Sequence, residues 1–207
     1  PEKRRPEAGS SVESKAPAFT ARSSAGVSKS CTVKDKGPVL PFALSQRTAL
    51  LAGPGEGWQA VSAADGSVAS FDPAAAPEGR WTDYLAGVIR VLHAMRAAPP
   101  GGRIAVASAV PIGAGLSSSA ALSVAAARAL SQLAGRRLSR EALVEVAYHA
   151  EHDVVGVQCG RMDQMIVVHA TARHAALIET GEGSIIQIPF DQPVLVFETG
   201  VSHRLAD

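Results

Sequence analysis

Residues 104–122 restrict what this chain can fold into more than any other stretch. The apolar run Ile104 to Val110 leads into Pro111-Ile112-Gly113-Ala114-Gly115-Leu116. Ser117-Ser118-Ser119 then open a small-residue segment beginning Ala120-Ala121-Leu122. Strand, glycine turn and helix in that order predict a βα unit whose loop faces a ligand. Glycines let the backbone approach an anion closely, and the free N–H groups at a helix start point toward it. The helix dipole adds to the attraction, so the stretch predicts a phosphate cradle, with a nucleotide as the expected ligand.

Other glycine-rich loops do not fit the letters. A Walker loop needs a lysine after its glycines, and none follows Gly115. A dinucleotide fingerprint needs glycine or alanine where Ser118 stands. A nucleophile elbow needs a second glycine where Ser119 stands, and no Ser-His-acid context supports a hydrolase built on Ser117 or Ser119.

Composition narrows the partners. The 207 residues are 46% hydrophobic, enough for a real core, and carry a formal net charge of +1, so no global field draws nucleic acid or an anionic membrane. Aromatics make up 4%, too few for base-stacking platforms. Cys31 and Cys159 are too few and too far apart for a disulfide framework or metal knuckle, which predicts a reducing, cytoplasmic setting. Small-molecule substrates are the expected partners.

Along the chain, Pro1 to Ser30 is rich in Ser, Lys, Arg, Glu and Pro, so residues 1–36 predict an irregular segment. Strands are expected at Val39–Leu44, Arg47–Ala52, Trp58–Ser62, Val68–Phe71 and Arg103–Val110, with a helix from Trp81 to Ala97. Short strands are expected at Met165–His169, Ala175–Ile178, Ile185–Ile188 and Val194–Phe197. Runs of strands followed by helices predict an α+β fold. The expected division is 1–36 irregular, 37–175 one domain, and 176–207 the first strands of a second.

One acidic side chain faces the wrong way. Leu143, Ala147, Ala150 and Val154 form an i, i+4, i+7, i+11 stripe on a helix over residues 139–155, and Glu151 falls inside that arc. Glu141, Glu145 and His152 fall on the opposite side. An unpaired buried carboxylate costs several kcal/mol, so a bound cation or a buried arginine is required. Mg²⁺ suits one Glu and one Ser hydroxyl beside phosphate oxygens. His149, His152 and Glu145 lack a well-spaced third strong ligand for zinc and read as surface groups. Beyond Gly156, Gly160 permits close backbone approach. Asp163 is either a first-turn aspartate favoured by the dipole or a base for an incoming hydroxyl.

The segments Pro111–Leu122, Ala150-Glu151-His152 and Cys159-Gly160-Arg161-Met162-Asp163-Gln164 resemble, in order and spacing, the motifs of the GHMP small-molecule kinases in their galactokinase wording. Gly37–Leu44 is similar to the strand after that family's first motif, so the resemblance runs through residues 37–207. It implies a ribosomal-S5-like N-terminal lobe facing a ferredoxin-like lobe. It implies that Gly113, Gly115, Leu116, Ser117, Ser118 and Ser119 cradle ATP phosphates, and that Ser119 and Glu151 hold Mg²⁺. Gly160 and Asp163 would contact a sugar, Asp163 acting on the hydroxyl that attacks the γ-phosphoryl group. The implied reaction is phosphorylation of a monosaccharide, galactose first.

Three departures accompany it. The family's first motif is replaced by Ser23–Lys34, which lacks its arginine, acidic and histidine residues. The sequence ends at Asp207, before that family's glycine-rich third motif, and Ser202 stands where Arg or Lys is usual. These departures predict an incomplete chain, inactive on its own. The alternatives are a non-catalytic nucleotide- or sugar-binding relative and a GHMP kinase for another sugar.

Overall fold

The computed structural model describes residues 19–25, 37–179 and 183–197. Most of the segment expected to be irregular, residues 1–18 and 26–36, lies outside the described residues, as does Ser202. Phe19–Ala25 is a correction: it forms a strand, β1, rather than irregular chain. Its backbone pairs with Phe42–Gly53 (β3) from Phe19↔Leu50 to Ala25↔Phe42, with a register shift between Arg22 and Ser24. The polar composition of β1 concealed it, because its partner edge rather than its own pattern defines it as a strand.

Eight strands make one mixed sheet. Pro38–Val39 (β2), β3, Trp58–Ser62 (β4) and Val68–Ser70 (β5) precede the helix Thr82–Ala94 (α1). The strand Gly102–Ser108 (β6) leads to Ser118–Leu133 (α2) and Arg140–His149 (α3), which continues as a π turn over Ala150–Val155. Met162–His169 (α4), His174–Glu179 (β7) and Ser184–Pro189 (β8) follow. The order β2-β7-β3-β6-β4-β5 is antiparallel except for the parallel pair β4–β6, with β8 against β7. The α+β class is therefore as expected. The two strands expected at 39–44 and 47–52 are mostly a single strand, since Ser45 and Gln46 lie at the register shift opposite β1 without ending β3.

The core lies between the sheet and α1, α2 and α3. Leu50, Trp58, Ala60 and Ile104 from the strands meet Leu85, Val88, Ile89 and Leu92 of α1 and Leu130 of α2. Alanines 120, 121, 125, 126, 127 and 129 are all buried, and their short side chains let α2 run through the middle of this layer. Fully burying one Ile or Leu contributes about 2–3 kcal/mol, so this layer is what holds the helix after the glycine loop in place.

Residues 165–169, expected as a strand, belong to α4. Val167 enters the main core while Met165 and Ile166 enter a second cluster with Val144, Ala176 and Ile178. A short helix buried on two sides has no single apolar stripe, so its letters resemble a buried strand. β7 runs across the expected domain boundary between 175 and 176 and pairs with β2, β3 and β8 in the same sheet. That boundary cuts through an element.

Val194–Phe197 is not a strand. Leu195 and Phe197 are 81% and 80% exposed, and Val194, Val196 and Ile186 of β8 are exposed too. Exposed large apolar side chains on and after an edge strand favour association. The chain is expected to self-associate with rising concentration, and L195K/F197K together to suppress this in light scattering. Equal scattering from both proteins would contradict it. No helix among the described residues is long and apolar enough to cross a membrane.

Candidate active site

β6 delivers the chain to the loop 111–117. Val110 and Leu116 are buried together against Phe42, Leu44 and Ala114, which pins both ends of the loop to β3. Leu116 therefore anchors the loop with its side chain and has only its backbone to offer a ligand. Gly113, Gly115 and Ser117 have φ of 75°, 69° and 55°. Left-handed residues alternating along a turn aim successive N–H groups into one concavity, a nest for an anion. The serine holds this conformation at a cost of about 1 kcal/mol, which glycine would not incur.

Ser117 is the first residue before α2, yet its side chain does not cap the helix. No acidic residue stands in the first turn either. The leading amides of a sixteen-residue helix are thus left without an internal anion. Ser118 and Ser119 occupy that first turn, partly exposed at the mouth.

Glu151 hangs from the π turn at 2% exposure. Gly156 and Val157 both donate their N–H to its carbonyl, closing the wide turn. Gln164 Nε2 donates to its Oε1 at 3.0 Å, and Gln164 is itself fully buried. Burial pushes the Glu151 carboxyl up to about 7. Gln164, Ser119 and Ser123 pull it back in that order, while Asp163 pushes it further up. The partner that the sequence demanded is thus an amide and hydroxyls, not an arginine.

Asp163 sits in the first turn of α4. Burial raises its pKa and the Ser117 hydroxyl opposes the rise. Gly160 precedes it, half-buried, on the turn after Val157. Cys159, with its thiol pushed up to about 12 by burial, then Glu151 and Asp163, lines the same space. The glycine loop, the α2 serines, Glu151 and Asp163 therefore come together from four segments of chain.

Sequence reasoning missed three groups here. Ser123 lies one turn beyond Ser119 on the same face; its buried hydroxyl is close enough to help hold down the Glu151 pKa but makes no hydrogen bond of ordinary geometry among the described residues. Gln164 Oε1 likewise makes none. Tyr84 is half-buried on α1, its phenol raised by burial and then by Glu151. The i+4 relation of Ser123 to Ser119 was the available signal; Tyr84 gave none, being hidden in an apolar stripe.

The histidines expected on the surface are there. His149 and His152 each direct Nδ1 at Asp153, at 2.6 and 2.7 Å. Glu145 accepts a forked pair from Arg161 at 2.8 and 3.1 Å, and that guanidinium lies 4.0 Å over the Tyr148 ring. This exposed cluster is an ion-pair network.

Residues 83–171 match the family model of the GHMP kinases N terminal domain. Galactokinase from Chloroflexus aurantiacus is 43% identical over 129 residues, covering 61% of this chain and 33% of that protein. Galactokinase from Thermotoga maritima is 39% identical over 132 residues, 61% of this chain and 37% of that protein. The chain thus spans about a third of the length of the curated relatives it matches. In structure it is similar to Lactococcus lactis galactokinase solved with galactose, with a TM-score of 0.76 at 22% identity over 88% of this chain and 52% of that one. Methanococcus jannaschii mevalonate kinase gives 0.70 at 15% identity over 85% and 56%. At those identities the two structures speak to fold alone. Fold, motif order and the match over residues 83–171 agree: this part of the chain is similar to the GHMP kinases N terminal domain.

Proposed function

We propose that this domain holds the phosphates of ATP on the loop 111–119 and serves phosphorylation of a monosaccharide, galactose first. The observation that supports it best is the convergence of an uncapped helix mouth with two acids whose pKa values are both raised. Neither acid has a cationic partner among its named hydrogen bonds, while buried Ser123 Oγ and Gln164 Oε1 make no hydrogen bond of ordinary geometry among the described residues. An all-oxygen donor set of one carboxylate and one hydroxyl fits Mg²⁺ bridging to phosphate. Ser119 and Glu151 would hold it, and when bound it supplies charge neutralisation for the transferring phosphoryl group.

The chain's own residues do the rest. The amides around Gly113, Gly115 and Ser118 bind phosphate oxygens, and Leu116 keeps the loop rigid from beneath. Asp163 orients a sugar hydroxyl and accepts its proton as the oxygen attacks in line. Its raised pKa makes the ionised carboxylate a stronger proton acceptor than an ordinary aspartate. The Gly160 backbone would contact sugar oxygens. Phosphoryl transfer demands mostly positioning and charge, which this set supplies.

Calorimetric titration with ATP is expected to show affinity raised about tenfold or more by Mg²⁺, an increment that Glu151→Gln removes. ATP affinity indifferent to both Mg²⁺ and the substitution would refute the proposal. A second reading, a nucleotide binder without catalysis, is favoured by Ser23–Lys34 standing where the family's sugar-gripping motif is expected. Galactose-dependent ADP release separates the two.

A further inference from the structure

Helix α1 and the π turn meet with no side chain between them. A methyl group placed on Gly87 would lie 2.8 Å from the Ala150 carbonyl oxygen and 3.2 Å from both its carbonyl carbon and its Cα. All three are backbone atoms of a fully buried residue, so nothing flexible can give way. Ala150 immediately precedes Glu151. The Glu151 carboxylate is confined on its other sides by Ser119 and Ser123 of α2 and by Gln164 of α4. Tyr84, three residues before Gly87 on the same helix, lies near enough to Glu151 and Cys159 for both to raise its phenol. The side of α1 that carries Gly87 therefore forms a wall of the site.

We propose that Gly87 is a positioning residue for Glu151: its missing side chain seats the π turn against α1 and sets the depth at which the carboxylate hangs. The assignment rests on reading Glu151 as the carboxylate that joins Mg²⁺ to ATP. Restoring ordinary contact in a Gly87→Ala chain moves the Ala150 backbone by at least about half an ångström. Mg²⁺ sites tolerate only a few tenths of an ångström in their ligand distances, so this shift is large for the ion and small for the fold.

Gly101 provides a control. A methyl there would be crowded as badly, 2.6 Å from Gly55 O and 2.9 Å from Gly57 O, but at the start of β6. The test titrates the 207-residue chain and its Gly87→Ala, Gly101→Ala and Glu151→Gln variants with ATP, with and without Mg²⁺. The Mg²⁺-dependent gain in affinity is expected to fall about tenfold or more in Gly87→Ala and to be absent in Glu151→Gln. In Gly101→Ala it stays within about twofold, whatever its loss of stability. A full gain in folded Gly87→Ala overturns the assignment. Absence of any gain in the unaltered chain overturns instead the reading on which it rests. Should Gly87→Ala not fold, amide exchange on the unaltered chain decides: Mg²⁺ with ATP is expected to slow residues 84–91 together with 151–157. Slowing confined to 151–157 overturns the coupling.

Discussion

Raising the pH from 4.5 toward about 7.5 is expected to destabilise the metal-free chain, and Glu151→Gln is expected to remove most of that loss. The folded carboxyl binds its proton with a pKa of about 7, whereas the unfolded chain releases it near the ordinary value of 4.5. Between those values the native state carries more protons than the unfolded state, so stability falls as pH rises through the window. Below 4.5 the contribution is complete; above about 7 it is gone. The shift corresponds to something on the order of 3 kcal/mol. The raised pKa of Asp163 acts in the same direction. Denaturant midpoints for the two proteins should therefore diverge with rising pH, with the glutamine variant the more stable at about pH 7.5. Mg²⁺ with ATP should reverse that order, because it stabilises only the chain that can bind it. Parallel pH profiles would show that Glu151 titrates as an ordinary surface acid.

The inward turn of Glu151 was legible because it depends on short-range periodicity. Leu143, Ala147 and Ala150 mark a face, and an acid on that face stands out whatever the tertiary structure. The π turn was not legible, since letters carry no record of a hydrogen bond shifted from i+4 to i+5. The contact that seats the turn, Gly87 of α1 against Ala150, joins residues some sixty positions apart. Tyr84 was not legible as a site residue for a related reason. Its place in an apolar stripe predicts burial equally well beside a core leucine or beside a carboxylate, and only the folded chain distinguishes these. β1 marks the limit on the sheet side: Phe19–Ala25 has no apolar alternation, and its strand character comes from the open edge of β3. Motifs that bind with backbone were readable from glycine and serine alone; the side chains that steer an acid arrive by tertiary contact.

Transplanted in place of the matching segment of Chloroflexus aurantiacus galactokinase, residues 83–171 are expected to support galactose phosphorylation, and Asp163→Asn in that chimera to lower kcat by about 10²–10⁴-fold. Sequence identity of 43% over 129 residues makes the exchange a test of chemistry more than of packing. Asparagine keeps the size of the side chain and its reach to Ser117 but cannot accept a proton, so a role in orientation alone leaves most of the rate. ATP affinity should change little, because Asp163 lies on α4 while the amides proposed to hold phosphate lie on the loop 111–119. Glu151→Gln in the same chimera should show the converse, a loss concentrated in Mg²⁺-dependent binding. A chimera that binds MgATP but transfers nothing, with Asp163→Asn indistinguishable from it, would favour the nucleotide-binding reading over the kinase. Asp163 raises the cost of ionising Glu151, so removing its charge should ease the deprotonation of Glu151. In Asp163→Asn the pKa of Glu151 should therefore fall below about 7, and the pH at which Mg²⁺ begins to strengthen ATP binding should fall with it. An Mg²⁺ profile unmoved by Asp163→Asn would mean that the two carboxylates do not sense one another, and the convergence on which the mechanism depends would be absent.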